Sequence, residues 1–353
     1  MTTSEIAKLL GISRGTVSRV LNNHPNVKEE TRQKVLTAIA EHNYIPNEVA
    51  RSLVMKNSFK IAVIVFSEPS FFWNQVKCGV CAAQAELSPH GVTVDYFVTD
   101  ILSPEEQCRL LRELPEQGYH AIAIAPNIPH LLIDELDRLS NSKFPIALFN
   151  VDIPTVNRLC YIGCDYTQAG VLAAELIAKS TPLGGSIAVL ALKDQILPIE
   201  QRVTGFRDEI SKHPNLTICH ISRFNRKGDG VCEEVDRLLK SFPDLAGIFV
   251  SFGALKQTAC AVETSKKSGK ISVIGYDLSD EIYSHIKKGN ITATICNEPF
   301  NQGYFAVKIL FNYLSRKTKP RQSNIYCKLE AVFSSNGRYY LNEREHLEIY
   351  LQK

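Results

Sequence analysis

Long apolar runs are missing from this sequence of 353 residues. No stretch approaches the roughly 18 uncharged apolar residues that a membrane-spanning helix requires. The first residues, Met-Thr-Thr-Ser-Glu-Ile-Ala-Lys, include an acid and form no apolar signal-peptide core. The ten cysteines are scattered singly, which in a chain of this length indicates thiols and not a disulfide framework. We therefore expect a cytoplasmic protein with no membrane partner.

Patterns that carry catalysis or bind metals are also absent. Cys78 and Cys81 are separated by two residues within a helical pattern, and no second pair stands at zinc spacing. The sequence contains no metal-binding histidine motif, no glycine-rich phosphate loop and no Gly-x-Ser-x-Gly turn. We expect no enzyme activity, no metal and no cofactor.

Positive charge is concentrated at the start of the chain. Residues 1–60 contain nine lysines and arginines and five acids, a net charge of +4, which leaves −1 for the rest. A basic head before a nearly neutral body favours binding of the head to a polyanion. A solvated surface is the alternative.

Three short helical patterns occupy residues 2–42. Thr2 and Glu5 form a capping box before the first helix, which ends at Gly11, and Ser13 caps the second. The third helix runs from about residue 28 to residue 42. The apolar residues expected to face inward are Ile6, Leu9, Leu10, Val17, Val20, Leu21, Val35, Leu36 and Ile39. Two short helices joined by a tight turn predict a helix-turn-helix motif.

The second helix of such a motif lies in the major groove of DNA, so its outward residues are candidate readers of bases and phosphates. These residues are Arg14, Thr16, Ser18, Arg19 and Asn22. Pro46 opens a segment that is too short to be a stable helix alone. We expect the segment from Pro46 to Lys56 to be disordered off DNA and helical on it.

Three blocks in this region carry a family resemblance. They are Ser-Glu-Ile-Ala-Lys-Leu-Leu-Gly-Ile-Ser-Arg-Gly-Thr-Val-Ser-Arg-Val-Leu-Asn-Asn at residues 4–23, Val-Lys-Glu-Glu-Thr-Arg at 27–32 and Asn-Tyr-Ile-Pro-Asn-Glu-Val-Ala-Arg-Ser-Leu at 43–53. Together they resemble the DNA-binding head of the lactose-repressor (LacI) family of bacterial regulators, with a chance helix-turn-helix pattern as the alternative.

The resemblance implies a role for the hinge at residues 46–58. It is expected to contact the minor groove through Asn47, Ala50 and Leu53, with Leu53 wedged between base pairs at the centre of the operator. The alternative is that Leu53 packs on the body of the protein.

From residue 60 onward, short apolar strands alternate with amphipathic helical patterns. The predicted strands are residues 60–66, 92–98, 121–125, 146–149, 186–192, 217–222, 246–250, 271–276 and 291–296. This rhythm is typical of parallel α/β sheets, and the length allows two of them with a break near residues 160–165. Ligands bind beyond the carboxyl ends of such strands, which predicts a site between the two halves.

Short motifs make the body similar to the type I periplasmic sugar-binding fold over nearly all of residues 60–333. Among them are Arg-Val-Thr-Gly-Phe-Arg at residues 202–207 and Val-Ile-Gly-Tyr-Asp at residues 273–277. The expected fold is α/β, with an all-α helix-turn-helix head and two doubly wound parallel-sheet subdomains of the periplasmic-binding-protein type I. The expected domains are the head at residues 1–45, the hinge at 46–58, an effector and dimerisation domain at 59–333 with a return near 291–325, and a C-terminal extension at 334–353.

The resemblance also implies an effector site built from aromatic and charged side chains. Phe72 and Trp73 match the aromatic pair that sandwiches a sugar ring. Arg202 matches an arginine that binds ring hydroxyls, Asp277 a carboxylate that accepts from a diol, and Asn297 an amide. The alternatives are core packing of Trp73, helix capping by Asp277 or Asn297, and a surface ion pair of Arg202.

Several further site positions depart from the family pattern. Ser70 stands where an asparagine is frequent. Ser251 replaces the asparagine of an Asn-Asp pair, and Phe252 replaces the aspartate. Asp152 matches another carboxylate, but Ile153 stands where sugar binders often have arginine. Despite these differences from the family pattern, we expect a ligand site at the same place. The identity of its ligand stays open.

The sequence thus predicts a DNA-binding transcriptional regulator, with repression as the expected mode. We expect it to bind a palindromic double-stranded operator as a homodimer and to respond to a small effector, a monosaccharide or polyol. The alternatives are a non-sugar effector, such as a nucleobase or a phosphorylated metabolite, and a stand-alone solute-binding protein.

Overall fold

The architecture comes from a computed structural model that describes residues 3–21, 26–42, 58–194 and 196–341. Contacts divide these residues into two units: the first contains the residues before Phe59 together with Pro89–Gly91, and the second contains the rest. No helix in these ranges is long and apolar enough to cross a membrane.

Three helices in the first unit share one small core. They are α1 (Thr3–Leu9), α2 (Arg14–Leu21) and α3 (Glu29–Glu41). Gly11, with a φ of +62°, makes the turn between α1 and α2, where a residue with a side chain would be strained. The buried core residues are Ile6, Ala7, Val17, Val20, Val35 and Ala38. The predicted pair of short helices joined by a tight turn is confirmed.

Two residues that the sequence assigns to this core lie outside it. Leu9 is 55% exposed and Leu36 is 44% exposed. Successive residues are about 100° apart around a helix. Leu36 therefore points away from the face of Val35, whereas Ala38, three residues after Val35, returns to that face. Leu9 is similarly displaced from Leu10, which packs against the core.

From Phe59 onward, strands and helices alternate. The first eight of these elements are β1 (Phe59–Phe66), α4 (Ser70–Leu87), β2 (Val92–Thr99), α5 (Pro104–Glu116), β3 (Ala121–Ile124), α6 (Pro129–Asn141), β4 (Ile146–Phe149) and β5 (Cys160–Gly163), with a 3-10 turn at Ser88–His90. The elements that follow are α7 (Tyr166–Ser180), β6 (Gly185–Leu192), α8 (Leu197–Ile210), β7 (Leu216–Phe224), α9 (Val231–Ser241), β8 (Leu245–Val250), α10 (Leu255–Thr264), β9 (Ser272–Tyr276), α11 (Asp280–Lys287), β10 (Ala293–Cys296), α12 (Pro299–Arg316), β11 (Asn324–Tyr326), β12 (Glu330–Val332) and α13 (Gly337–Leu341).

The strands form two separate sheets. Their orders are β11-β5-β4-β3-β1-β2 and β12-β10-β9-β8-β6-β7. Neighbouring strands are parallel, except that β12 runs antiparallel to β10. We call the first sheet with α4, α5, α6 and α12 the first subdomain, and the second sheet with α7 to α11 and α13 the second subdomain.

The chain connects the two subdomains at three places within residues 59–341. It crosses between β5 and α7, between β10 and α12, and between β11 and β12. These crossings put the carboxyl ends of the strands of both sheets next to a shared cleft, which is the usual ligand position in open α/β folds.

All of the predicted strands are present, with ends that differ by no more than two residues. Their apolar runs are explained by burial on both faces of a parallel sheet, as in β1, where Ile61 to Val65 are all buried. The sequence missed β5, β11 and β12. β5 occupies the start of the expected break at residues 160–165, and β11 and β12 have only three residues each, too few to show a periodic pattern.

Each subdomain contains a helix pair in which glycines allow the backbones to touch. In the second subdomain, a Cβ atom at Gly170 on α7 would overlap the carbonyl oxygen of Arg202 on α8, and one at Gly205 on α8 would overlap that of Thr167 on α7. In the first subdomain, Gly79 on α4 and Gly303 on α12 face the backbones of Phe300 and Val76 in the same way. A methyl group at these points would push the helices apart.

We predict that Gly170→Ala lowers the free energy of unfolding by about 1–3 kcal/mol, the usual cost of overpacking a filled contact. Urea denaturation of the purified protein measures this change. Gly253→Ala is the matched control, because a Cβ atom there meets no other atom within 4 Å. Equal stability of the two variants would show that α7 and α8 can separate without cost.

Candidate functional site

Helix α2 presents a polar face opposite the core of the first unit. Val17 and Val20 are buried, while Arg14, Ser18 and Arg19 are exposed. Ser13 caps the helix, since its Oγ accepts a hydrogen bond of 3.1 Å from the amide of Thr16. The exposed side of α2 therefore carries two guanidinium groups and a hydroxyl, which suit phosphates and base edges.

Thr16 differs from the other predicted DNA contacts on α2. It is half-buried, and its Oγ1 lies 2.9 Å from Ser13 Oγ in a side-chain hydrogen bond. Its hydroxyl therefore helps to hold the start of the helix. The remaining predicted DNA contacts, Asn22, Asn47, Ala50 and Leu53, lie outside the described residues.

A cavity of about 360 Å³ lies where α4 of the first subdomain meets strand ends of the second. Phe71 and Phe72 at the start of α4 form one wall. The other walls include Asp277 after β9, Asn297 after β10, Phe300 on α12, Glu330 on β12 and Tyr340 on α13. Three of the predicted effector residues, Phe72, Asp277 and Asn297, therefore meet at this cavity.

Asp277 is held in an unusual backbone conformation beside the cavity. Its φ is +66°, in the left-handed region where aspartate is more tolerated than most side chains. Its amide donates to the carbonyl of Ile295 at 3.0 Å, and its own carbonyl accepts from Thr294 Oγ1 at 2.7 Å. Burial raises the pKa of its carboxyl above the ordinary value, and the Arg202 guanidinium opposes that rise. The carboxylate is thus fixed, partly desolvated and available as an acceptor.

Asn297 presents an unsatisfied acceptor at the same cavity. Its side chain is 3% exposed, and its Oδ1 atom is buried without a hydrogen-bond partner among the described residues. The backbone carbonyl of Asn297 is engaged, since Gln302 Nε2 donates to it at 2.9 Å. A buried polar atom without a partner is costly, which indicates that a donor belongs beside Oδ1.

Arg202 is buried behind the cavity and does not line it. Its guanidinium lies 3.6 Å from the ring centroid of Tyr276 and 4.9 Å from that of Tyr166. Nη1 donates to the carbonyl of Ser251 at 2.9 Å, and Ser251 Oγ donates to the carbonyl of Leu190 at 2.9 Å. With 8% exposure, Arg202 is not a surface ion pair. The structure places both Arg202 and Ser251 as supports within the second subdomain.

Trp73 is part of the core of the first subdomain and does not line the cavity. Its ring packs edge-on against Phe66 at 4.6 Å and against Phe149 at 6.3 Å, and Nε1 donates to the carbonyl of Glu68 at 3.1 Å. With 4% exposure, Trp73 belongs to the hydrophobic core of this subdomain. The second ring at the cavity is Phe71.

Ser70 and Asp152 are separate from this group. Ser70 is the exposed first residue of α4, and its amide donates to Glu68 Oε2 at 3.1 Å. Asp152 forms a 2.6 Å ion pair with Arg158 and borders a second, smaller cavity of about 60 Å³, which also touches Tyr166. The structure therefore brings only Phe72, Asp277 and Asn297 of the predicted effector residues to the larger cavity and places the others elsewhere.

Sequence reasoning missed part of the cavity wall. Phe71 could have been found from its position beside Phe72. Glu330 and Tyr340 lie on the short strand β12 and the short helix α13, and no sequence pattern marks them. Only the last chain crossing brings them to the cavity.

One arginine bridges the two subdomains at the cleft. Arg226, after β7 of the second subdomain, donates from Nη1 and Nη2 to the carbonyl of Asn127 at 3.1 and 3.2 Å, and from Nη1 to the carbonyl of Ile101 at 3.4 Å. Its Nε lies 3.4 Å from the Asp194 carboxylate. Both carbonyls belong to the first subdomain, so these bonds join the two subdomains.

The chain matches two protein families. Residues 2–47 match the family described as bacterial regulatory proteins, lacI family. Residues 61–318 match the family described as periplasmic binding protein domain. The second match alone spans well over half of the chain.

Relatives and solved structures agree with these matches. Catabolite control protein A of Priestia megaterium is 24% identical over 331 residues, which cover 90% of this chain and 94% of the relative. The ribose operon repressor of Bacillus subtilis is 27% identical over 285 residues, 78% of this chain and 81% of the repressor.

The fold of the body has counterparts among transport and regulatory proteins. A sugar-binding protein of a sugar ABC transporter from Bacillus halodurans has a TM-score of 0.73 at 24% identity, covering 80% of this chain and 99% of that one. A putative LacI transcriptional regulator from Bacteroides fragilis has a TM-score of 0.72 at 19% identity, covering 80% and 100%. The chain therefore belongs to the family described as periplasmic binding protein domain, and ahead of that domain it carries a helix-turn-helix DNA-binding domain of the lacI family of bacterial regulatory proteins.

Proposed function

We propose that this transcriptional regulator binds a palindromic operator as a homodimer in the cytoplasm and changes its operator affinity when a small polyhydroxy ligand fills the cavity beside Asp277. Repression is the proposed mode, as in the ribose operon repressor to which the chain is similar. Two heads are needed to read the two half-sites of a palindrome, which supports a dimer.

The observation that carries the effector role is the meeting of Phe72, Asp277 and Asn297 at one cavity. A volume of about 360 Å³ falls within the range of small-ligand pockets. The half-buried ring of Phe71, next to Phe72, offers an apolar surface to the C–H face of a sugar, while the Asp277 carboxylate and the Asn297 side chain form hydrogen bonds with its hydroxyls. The sugar-binding transport proteins that share the fold support this ligand class.

The proposed response is a two-state equilibrium of the cleft. The ligand contacts residues of both subdomains, so it binds the closed cleft better than the open one and shifts the equilibrium toward closure. Closure changes how the first subdomains of a dimer present their heads to the operator. Ligand and operator must then affect each other's binding by the same factor.

We predict that Arg19→Ala costs about 1–3 kcal/mol of discrimination between a selected operator and a copy with one half-site base pair changed, because a guanidinium-to-base contact is lost. Competition fluorescence anisotropy measures this difference. Lys34→Ala is the control: it removes the same charge from exposed α3, where Lys34 pairs with Glu30 at 2.8 Å. If Arg19→Ala weakens binding to operator and random DNA equally, Arg19 contacts phosphate and reads no base.

We predict that Asp277→Asn raises the ligand concentration needed for half-maximal change in operator binding by about tenfold or more, since a hydrogen bond to a charged group contributes about 1.5–3 kcal/mol. Operator affinity without ligand stays unchanged. The ligand used is the compound that stabilises the wild-type protein most in a thermal-shift screen of sugars and polyols. Asp280→Asn, on the exposed first turn of α11, is the control. An unaltered ligand response in Asp277→Asn would place the effector elsewhere.

We predict that Arg226→Ala weakens binding of the same compound by about tenfold, because bonds present in the closed cleft are lost. Small-angle scattering should also report a larger radius of gyration for the variant. Lys227→Ala, an exposed neighbour with the same charge, is the control. Identical affinity and size in the two variants would mean that the Arg226 bonds do not hold the subdomains together.

A further inference from the structure

The cavity wall is rich in acids and, among the described residues that line it, contains no lysine or arginine. Its carboxylates come from Asp277, Glu298 and Glu330. Carboxylates that are removed from water without a cation beside them are costly. Within the described part of the wall, a cation on the ligand would therefore find carboxylates and no competing positive charge.

The three carboxylates differ in what neutralises them. Asp277 interacts electrostatically with the buried Arg202. Glu298 accepts from the side-chain amide of Asn301 at 2.8 Å and from the backbone amide of Lys328 at 2.7 Å, which are both neutral donors. No described residue forms a hydrogen bond or an ion pair with the Glu330 carboxylate. Glu330, which is half-buried, is thus the acid that is free to pair with a ligand cation.

A second observation is independent of these charges. The buried Oδ1 atom of Asn297 lacks a donor at the same cavity. The polar side chains that line the cavity include the carboxylates of Asp277, Glu298 and Glu330 and the amides of Gln75, Asn297 and Asn301. Arg202 Nε and Tyr276 Oη also lack partners, but neither residue lines the cavity. The charged groups among the lining residues are all carboxylates, so a cationic donor on the ligand is the group that complements them.

Aromatic rings surround these acceptors. Phe71 and Phe72 contribute from α4, Phe300 from α12 and Tyr340 from α13. Aromatic faces attract cations through the ring quadrupole, and they also pack against the C–H face of a sugar. Phosphate and carboxylate groups gain from neither surface and are repelled by the acids.

We propose that the effector is a monosaccharide-sized polyol that carries an ammonium group, and that this group pairs with Glu330. The inference rests on the effector function proposed above and narrows its ligand class. Glu330 is then the specificity-determining residue: it selects the aminated compound over its neutral parent. Asp277 and Asn297 bind hydroxyls that both compounds share.

The test compares matched ligands on the full-length wild-type protein at pH 7 by isothermal titration calorimetry. The probes are glucose, galactose and mannose, each also as the 2-amino, N-acetylated 2-amino and 6-phosphate derivative, together with neutral pentoses and polyols. We expect at least one aminohexose to bind about tenfold or more tightly than both its neutral parent and its N-acetyl form, since those lack the charge. No phosphate should bind.

The variant arm uses Glu330→Gln with Glu233→Gln as its control. Glu330→Gln should lower the ratio of aminohexose affinity to parent-sugar affinity from about tenfold or more to about one. Glu233 is exposed on α9 outside the cavity, so Glu233→Gln should behave as wild type. The wild-type comparison decides the matter even if Glu330→Gln does not fold.

The outcomes separate the inference from the effector function. If a neutral sugar or polyol binds and alters operator affinity with no preference for an amine, the inference is wrong and the effector function stands. An amine preference that survives in Glu330→Gln also overturns the role of Glu330. Binding of a sugar phosphate alone, or of no probe, overturns both the inference and the proposed polyhydroxy effector.

Discussion

Direct backbone contact between paired helices determines where the cleft residues lie. Gly170 lets α7 touch the backbone carbonyl of Arg202 on α8, which fixes the distance between the two helices. The guanidinium of Arg202 is thereby placed against the rings of Tyr276 and Tyr166. Gly79 lets α4 approach the backbone of α12 equally closely. This contact positions Phe71 and Phe72, at the start of α4, beside the cavity. Because interiors are densely packed, a shift of either helix pair would be transmitted to the ligand site.

The sequence was sufficient for the fold class because buried parallel strands leave long apolar signals, as in β1 and β6. The sequence was less informative about which side chains of a helix are buried, because a shift of one position changes the face on which a residue lies. Leu36 and Trp73 each sit one residue from a neighbour that faces the other way, and periodicity in a single sequence cannot fix that rotation. Glu330 and Tyr340 could not be found at all, since their place depends on a chain crossing between sheets and not on local pattern.

The predicted effector residues separate into groups with different physical roles. Asp277 and Asn297 follow adjacent strands, β9 and β10, and share an edge of the second sheet. Arg202 and Ser251 are bonded to each other and satisfy groups of their own subdomain. Asp152 is neutralised by Arg158 in a bidentate pair with bonds of 2.6 Å. Family resemblance assigns all of them to one site, whereas the structure places only Asp277 and Asn297 of these five residues at the larger cavity.

The order of elements along the chain has a consequence for synthesis on the ribosome. The first subdomain needs α12 and β11, which are translated after β6 to β10 of the second subdomain. The second sheet in turn receives β12 only after β11. Neither sheet can therefore be completed co-translationally before the other has emerged. The two lobes of the binding domain must finish folding together, unlike a string of domains that fold one by one from the N-terminus.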